Sequence, residues 1–133
     1  MAKRTRNKAL IDRLIVYHSA EDDCWIAHSL RTDQLGTGDC IVDAMADALK
    51  AIRQVAALAA RDKTVALFRE APRDIQQLAA HARSLPAELF EIAHKMVTGA
   101  WPDDMPVDIA PRHHRGGTFA VEIPETELLE MAS

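Results

Sequence analysis

Residues 14–18 read LIVYH, 24–30 read CWIAHSL, 34–39 read QLGTGD and 42–60 read VDAMADALKAIRQVAALAA. In the first stretch Leu14 and Val16 share one face and Ile15 and Tyr17 the other, and β-branched and aromatic types dominate, which predicts a strand. Residues 19–23, SAEDD, read as its turn. A second strand follows, with Cys24, Ile26, His28 and Leu30 on one side and Trp25, Ala27 and Ser29 on the other, so the pair predicts an antiparallel hairpin. Gly36 and Gly38 mark a short third strand or bulged edge that breaks into a turn before a helix. That helix is long and amphipathic. Val42, Met45, Leu49, Ile52 and Ala56 recur at three and four residues, alanines add propensity, Asp39 or Cys40 caps the start, and Asp43 favours the positive end of the dipole. Residues 64–68, TVALF, read as a fourth strand.

Outward from this block the period turns helical again. Ile75, Leu78, Ala79 and Ala82, then Leu89, Phe90, Ala93, Met96 and Val97, predict a helical hairpin over 71–99 with its corner at Ser84 to Pro86. Pro102, Pro106, Pro111, Gly116 and Gly117 predict a long loop, after which Phe119, Val121 and Ile123 alternate as a C-terminal strand. Pro124 then opens a short acidic helix through Leu128, Leu129 and Met131. The fold class predicted is α+β: a small antiparallel sheet in the order β-β-β-α-β with one long amphipathic helix, followed by the helical hairpin and the last strand. The division is a basic arm over 1–12, an α+β domain over 13–70, the hairpin over 71–99, and the loop, strand and acidic helix over 100–133.

At 133 residues, 48% hydrophobic and 27% charged, the chain fits one compact domain, and the net charge of -4 excludes the broad positive field of non-specific nucleic-acid binders. Six scattered aromatics argue against a stacking platform for single strands. The charge is uneven: residues 1–13 carry +4, 14–70 carry -3, 71–99 are neutral and 100–133 carry -5. Two cysteines without CxxC spacing fit a reducing cytoplasm, and the longest apolar run, Val55 to Ala60, falls far short of the roughly 20 residues a membrane span needs. No secretory signal, membrane contact or cofactor is expected.

Cys24 and His28 share a strand face, but four residues of extended chain hold their backbones roughly 13 Å apart, too far for a nucleophile and base. The pairs Asp22-Asp23 and Asp103-Asp104 read as turn residues, and His113-His114 lacks partners at ligand spacing. Gly36 to Gly38 before a helix lacks the lysine of a phosphate loop. Over 74–96 a helix-turn-helix fits in part, yet Glu88 and Glu91 on the second helix would repel phosphates.

The hairpin 14–17 and 25–28, then Leu35 to Asp39, then Asp43-Ala44 entering an alanine-rich helix, resemble the HicB antitoxin family over about residues 13–69. Cys40 stands where that pattern has Thr, and Asp43 where it has Glu, which weakens the expected capping box. The resemblance implies a partial RNase H-like sheet without nuclease carboxylates, a bacterial cytoplasmic setting, and neutralisation of HicA, a small basic ribonuclease. The function expected is therefore a non-enzymatic, antitoxin-like binding protein, dimeric, that sequesters a basic ribonuclease toxin. Alternatives are an operator-DNA autoregulator using the 74–96 hairpin and the arm, or a stand-alone oligomer with another partner. Trp25, His28, Asp22 and Asp23 are the candidate partner contacts, Lys3, Arg4, Arg6 and Lys8 the candidate nucleic-acid contacts, and Phe119, Val121 and Ile123 the candidate oligomer contacts. No catalytic or metal-ligating residue is assigned.

Overall fold

A computed structural model of the chain describes residues 12–100 and 116–124. The elements run β1 (Asp12–Ser19), β2 (Cys24–Ser29), β3 (Leu35–Gly38), α1 (Ile41–Arg61), α2 (Arg73–Ala79), β4 (Arg83–Ser84), α3 (Ala87–Thr98) and β5 (Thr118–Ile123). The strands make one sheet in the order β3-β2-β1-β5-β4, with every pairing antiparallel except β4 with β5. The α+β class and its long helix are as the sequence predicts.

The period-two pattern of β1 sorts the molecule into layers. Leu14 and Val16 point to one face, where they join Trp25 and Ala27 of β2, Phe119, Val121 and Ile123 of β5, and the buried stripe Val42, Met45, Leu49 and Ile52 of α1. Leu89, Phe90 and Ala93 of α3 pack into the same core. On the other face Ile15 and Ala120 lie under Ala71 and Ile75, the latter on α2. The two glycines of β3 explain how closely α1 sits. A methyl group at Gly36 would overlap the Ala48 backbone nitrogen, and one at Gly38 would come to 2.5 Å from the Asp43 Cβ.

Three expectations are corrected. Residues 64–68 form no strand: the Asp62 carboxylate accepts from the Thr64 backbone N–H (2.9 Å) and hydroxyl (2.6 Å), a turn that ends α1 without starting a ladder. The chain then crosses to the second face, tied by Arg69 N–H to the Arg31 carbonyl (2.8 Å) and Ala71 N–H to the Leu30 carbonyl (2.9 Å). The strand beside β1, on the side away from β2, is β5. The helices of 71–99 do not pack as a hairpin, because Arg83 and Ser84 between them join the sheet edge and put α2 and α3 on opposite faces. That arrangement is not a helix-turn-helix. Phe119, Val121 and Ile123, the candidate oligomer contacts, are 7%, 6% and 0% exposed and pack in the chain's own core, so their side chains do not face a second chain. The loop 101–115, the acidic stub beyond Pro124, and the arm residues Lys3, Arg4, Arg6 and Lys8 lie outside the described residues.

Candidate partner interface

Because Trp25 stands opposite Gly38 in the β2–β3 ladder, the β1–β2 turn and the β3–α1 junction lie at the same end of the sheet. The turn brings Glu21, Asp22 and Asp23, all exposed. Asp22 accepts from the Ser19 hydroxyl at 3.3 Å while its backbone N–H donates to the same oxygen at 3.2 Å, so the acidic pair is built into the turn as its spacing predicts. Asp23 takes a positive φ of 50°, and its carboxylate lies 3.5 Å from His18 Nε2.

The junction contributes Asp39, just before the cap of α1, and Asp43 and Asp47, four residues apart along one flank of the helix. With Thr37, Lys50, Met96 and Val97 they border a shallow depression of about 560 Å³. Asp47 also accepts from the Thr37 backbone N–H at 3.0 Å, which occupies one of the outward donors of the edge strand β3. Cys40 caps the helix, its Sγ accepting from Asp43 N–H at 3.5 Å. Burial pushes its thiol pKa up and the Asp43 charge adds to that, so Cys40 is no activated nucleophile. The result is a carboxylate-lined end on which Lys50 is the one cation bordering the depression among the described residues.

The four predicted contacts divide. Asp22 and Asp23 stand exposed at this end. Trp25 does not: it is 6% exposed, faces α1, and its ring meets His18 edge-on at 5.4 Å and Phe119 at 6.3 Å, so as a partner contact it is corrected to a core residue. His28 is likewise buried, at the far end of β2, with Nε2 2.7 Å from Asp33 Oδ1 and a buried Nδ1 that has no hydrogen-bond partner among the described residues. It cannot reach a partner or join Cys24. What sequence reasoning misses is the junction: the four-residue spacing of Asp39, Asp43 and Asp47 is visible in the chain, but a helix-start reading uses Asp39 only as a cap and Asp43 only as a dipole partner.

The opposite end of the sheet holds a second carboxylate of a different kind. Asp12, with no exposed surface, accepts from the backbone N–H of Arg13 (2.7 Å) and Arg31 (2.8 Å) and from the Thr32 hydroxyl (2.8 Å). The Thr32 and Ser29 hydroxyls are 2.6 Å apart, and Ser29 Oγ accepts from Gln34 N–H at 2.8 Å. Burial raises the Asp12 pKa against the pull of these donors. The cluster clamps the β2–β3 connection.

A larger recess of about 720 Å³ runs beside β5 and α3, lined in part by Arg13, Leu85, Phe90, His94 and Glu122. Arg13 stands opposite Glu122 in the ladder and Glu91 lies four residues before Lys95, so its charges are mixed and it favours neither sign of partner. Among the described residues no three side chains of metal-ligating type come together, and no helix is long and apolar enough to cross a membrane. Comparison with protein-family models, with curated proteins and with solved structures finds no match for this chain.

Proposed function

We propose that the protein is an antitoxin-like binding protein of HicB type, which sequesters a small basic ribonuclease without catalysing a reaction itself. The observation that carries this reading is the acidic end: two chain segments 16 or more residues apart, the 21–23 turn and the 39–47 segment, lie with their carboxylates at one end of the sheet. A field of one sign on one side accelerates encounter with an oppositely charged surface and disfavours nucleic acid there. The order of three antiparallel strands followed by a helix, on which the resemblance to the HicB family rests, supports it as well.

The test is to ask whether a small basic protein is encoded beside the full chain and, where one is, to co-express the two. The expected result is a co-purifying complex whose association slows as the screening length falls from roughly 30 Å at 0.01 M to about 8 Å at 0.15 M ionic strength. If no adjacent basic protein co-purifies, the antitoxin reading is wrong. If the complex forms with a salt-independent on-rate, the acidic end is not what draws the partner in.

A further inference from the structure

We propose that the recess beside β5 and α3 is the seat of the chain's own C-terminal residues 125–133. The proposal is independent of the acidic-end reading and gives the 720 Å³ recess an occupant from within the same chain.

The recess opens where the sheet stops short. β4 has only Arg83 and Ser84, which lie opposite Phe119 and Ala120, while β5 continues to Ile123. The Leu85 backbone N–H donates to the Ala120 carbonyl at 2.8 Å, so the backbone groups of Ala120 face β4, and by the two-residue period those of Glu122 face the same way. Among the described residues no strand lies beside Glu122 on that side. The chain turns at Pro86 into α3 instead, and Ala87, Phe90, Glu91 and Lys95 line the recess at helical spacing. The result is a groove between a sheet edge and a helix, with Leu85, Phe90 and Val121 as its apolar lining. The opposite edge of the sheet offers no such slot at Thr37, whose N–H is taken by Asp47.

Charge does not choose the occupant, because Arg13 and Lys95 stand at the recess together with Glu91 and Glu122. Apolar contact and tether do. Pro124 itself lines the recess, so the nine residues that follow, ETELLEMAS, start at its mouth and bring Leu128, Leu129 and Met131 to it. The α3 wall from Ala87 to Lys95 is about 12 Å long, and nine residues span about 13 Å even at helical rise. A tether this short supplies a local concentration on the order of millimolar, above that of a separate chain in ordinary solution. The other occupants are worse placed. Residues 101–115 leave beyond Lys95 but have to arrive at Gly116, before the start of β5 and away from Pro124. Two copies paired edge to edge about Glu122 would set the two Glu122 side chains opposite each other and run each β5 into the other's β4.

The test is nuclear magnetic resonance of the full chain with labelled leucine methyls and phenylalanine rings. Overhauser contacts are expected between the Leu128 and Leu129 methyls and the Phe90 ring. They should be lost in the double variant Leu128→Asp, Leu129→Asp, whose other shift changes should gather at Leu85, Val121 and Glu122 and leave Ile75, under the opposite face, unmoved. Mixing labelled with unlabelled chains and filtering by isotope should show that the contacts arise within one chain. Should the double variant not fold, the native contacts decide alone. No contact from 128–131 to the recess, contacts to Phe90 from 101–115 in their place, or contacts arising between chains would each overturn the proposal.

Discussion

The two ends of the β1–β2 hairpin use the same residue type for opposite purposes. Where the hairpin turns, Asp22 and Asp23 stand in water with bonds to a neighbouring hydroxyl or imidazole. At the open end Asp12 is sealed from solvent and accepts three hydrogen bonds that fix the β2–β3 connection. A carboxylate in water offers its charge to a partner, and a carboxylate in the core directs it at donors that would otherwise be orphaned. Position relative to the sheet, not chemistry, separates a contact residue from a structural one.

The largest way to break that comparison is Asp12→Ala. It strands two backbone N–H groups and a hydroxyl in a buried site, and should cost about 3–5 kcal/mol in urea unfolding. A loss under about 1 kcal/mol would mean that water reaches the cluster and that the two ends are alike.

At the other end Asp39, Asp43 and Asp47 changed together to Asn should leave unfolding nearly untouched, since Asn can still accept from Thr37 N–H, but should slow association with a basic partner by about tenfold at low salt. Stopped-flow mixing reads this, and an unchanged rate would move the interface elsewhere.

The pH dependence sharpens the contrast further. The folded-state pKa of Asp12 lies above its ordinary 3.8, so its favourable contribution is fully present below about pH 3.8 and is lost as pH rises through the folded value. Measured against Asp12→Asn, the native chain should therefore lose stability from pH 3.8 upward, by about 1.4 kcal/mol for every tenfold by which folding tightens the hold of Asp12 on its proton. Asp62 on the surface runs the other way: its bonds from Thr64 lower its pKa, so its contribution is present above 3.8 and fades as pH falls. A native-to-Asn difference that is flat or of opposite slope would contradict the burial of Asp12.

The smallest effect belongs to Asp22→Ala, which removes one exposed turn bond and should stay within about 0.5 kcal/mol by thermal unfolding. A larger loss would give the turn a structural role comparable to that of Asp12.

Much of this is legible in the chain itself. Strict alternation from Leu14 to Tyr17 and the three-and-four spacing from Val42 to Ala56 are local periodicities, and β1, β2 and α1 appear where they predict. Turn chemistry is legible too at Asp22, Asp23 and Cys40, because those side chains bond within a few residues of themselves. A strand over 64–68 does not form because its apolar alternation is outweighed by the Asp62 turn just before it, a local signal of the opposite sense. At the candidate site the exposure of the Asp pair follows from its turn position, whereas the burial of Trp25 and His28 depends on what packs over them.

What the sequence determines alone is thus the set of elements whose bonds and side-chain periods close within a few residues: the hairpin, the glycine-marked third strand, the long helix and the acidic turn. Only tertiary structure decided that β5, arriving about a hundred residues later, pairs with β1, that two residues of β4 send α2 and α3 to opposite faces, and that Trp25 is core. It also decided that the 21–23 turn and the 39–47 segment lie at one end of the sheet while Asp12 is sealed at the other. The physical reason is that strand order and burial are set by contacts between segments distant in the chain, each chosen for the apolar surface it removes from water, and no local pattern records which distant segment wins.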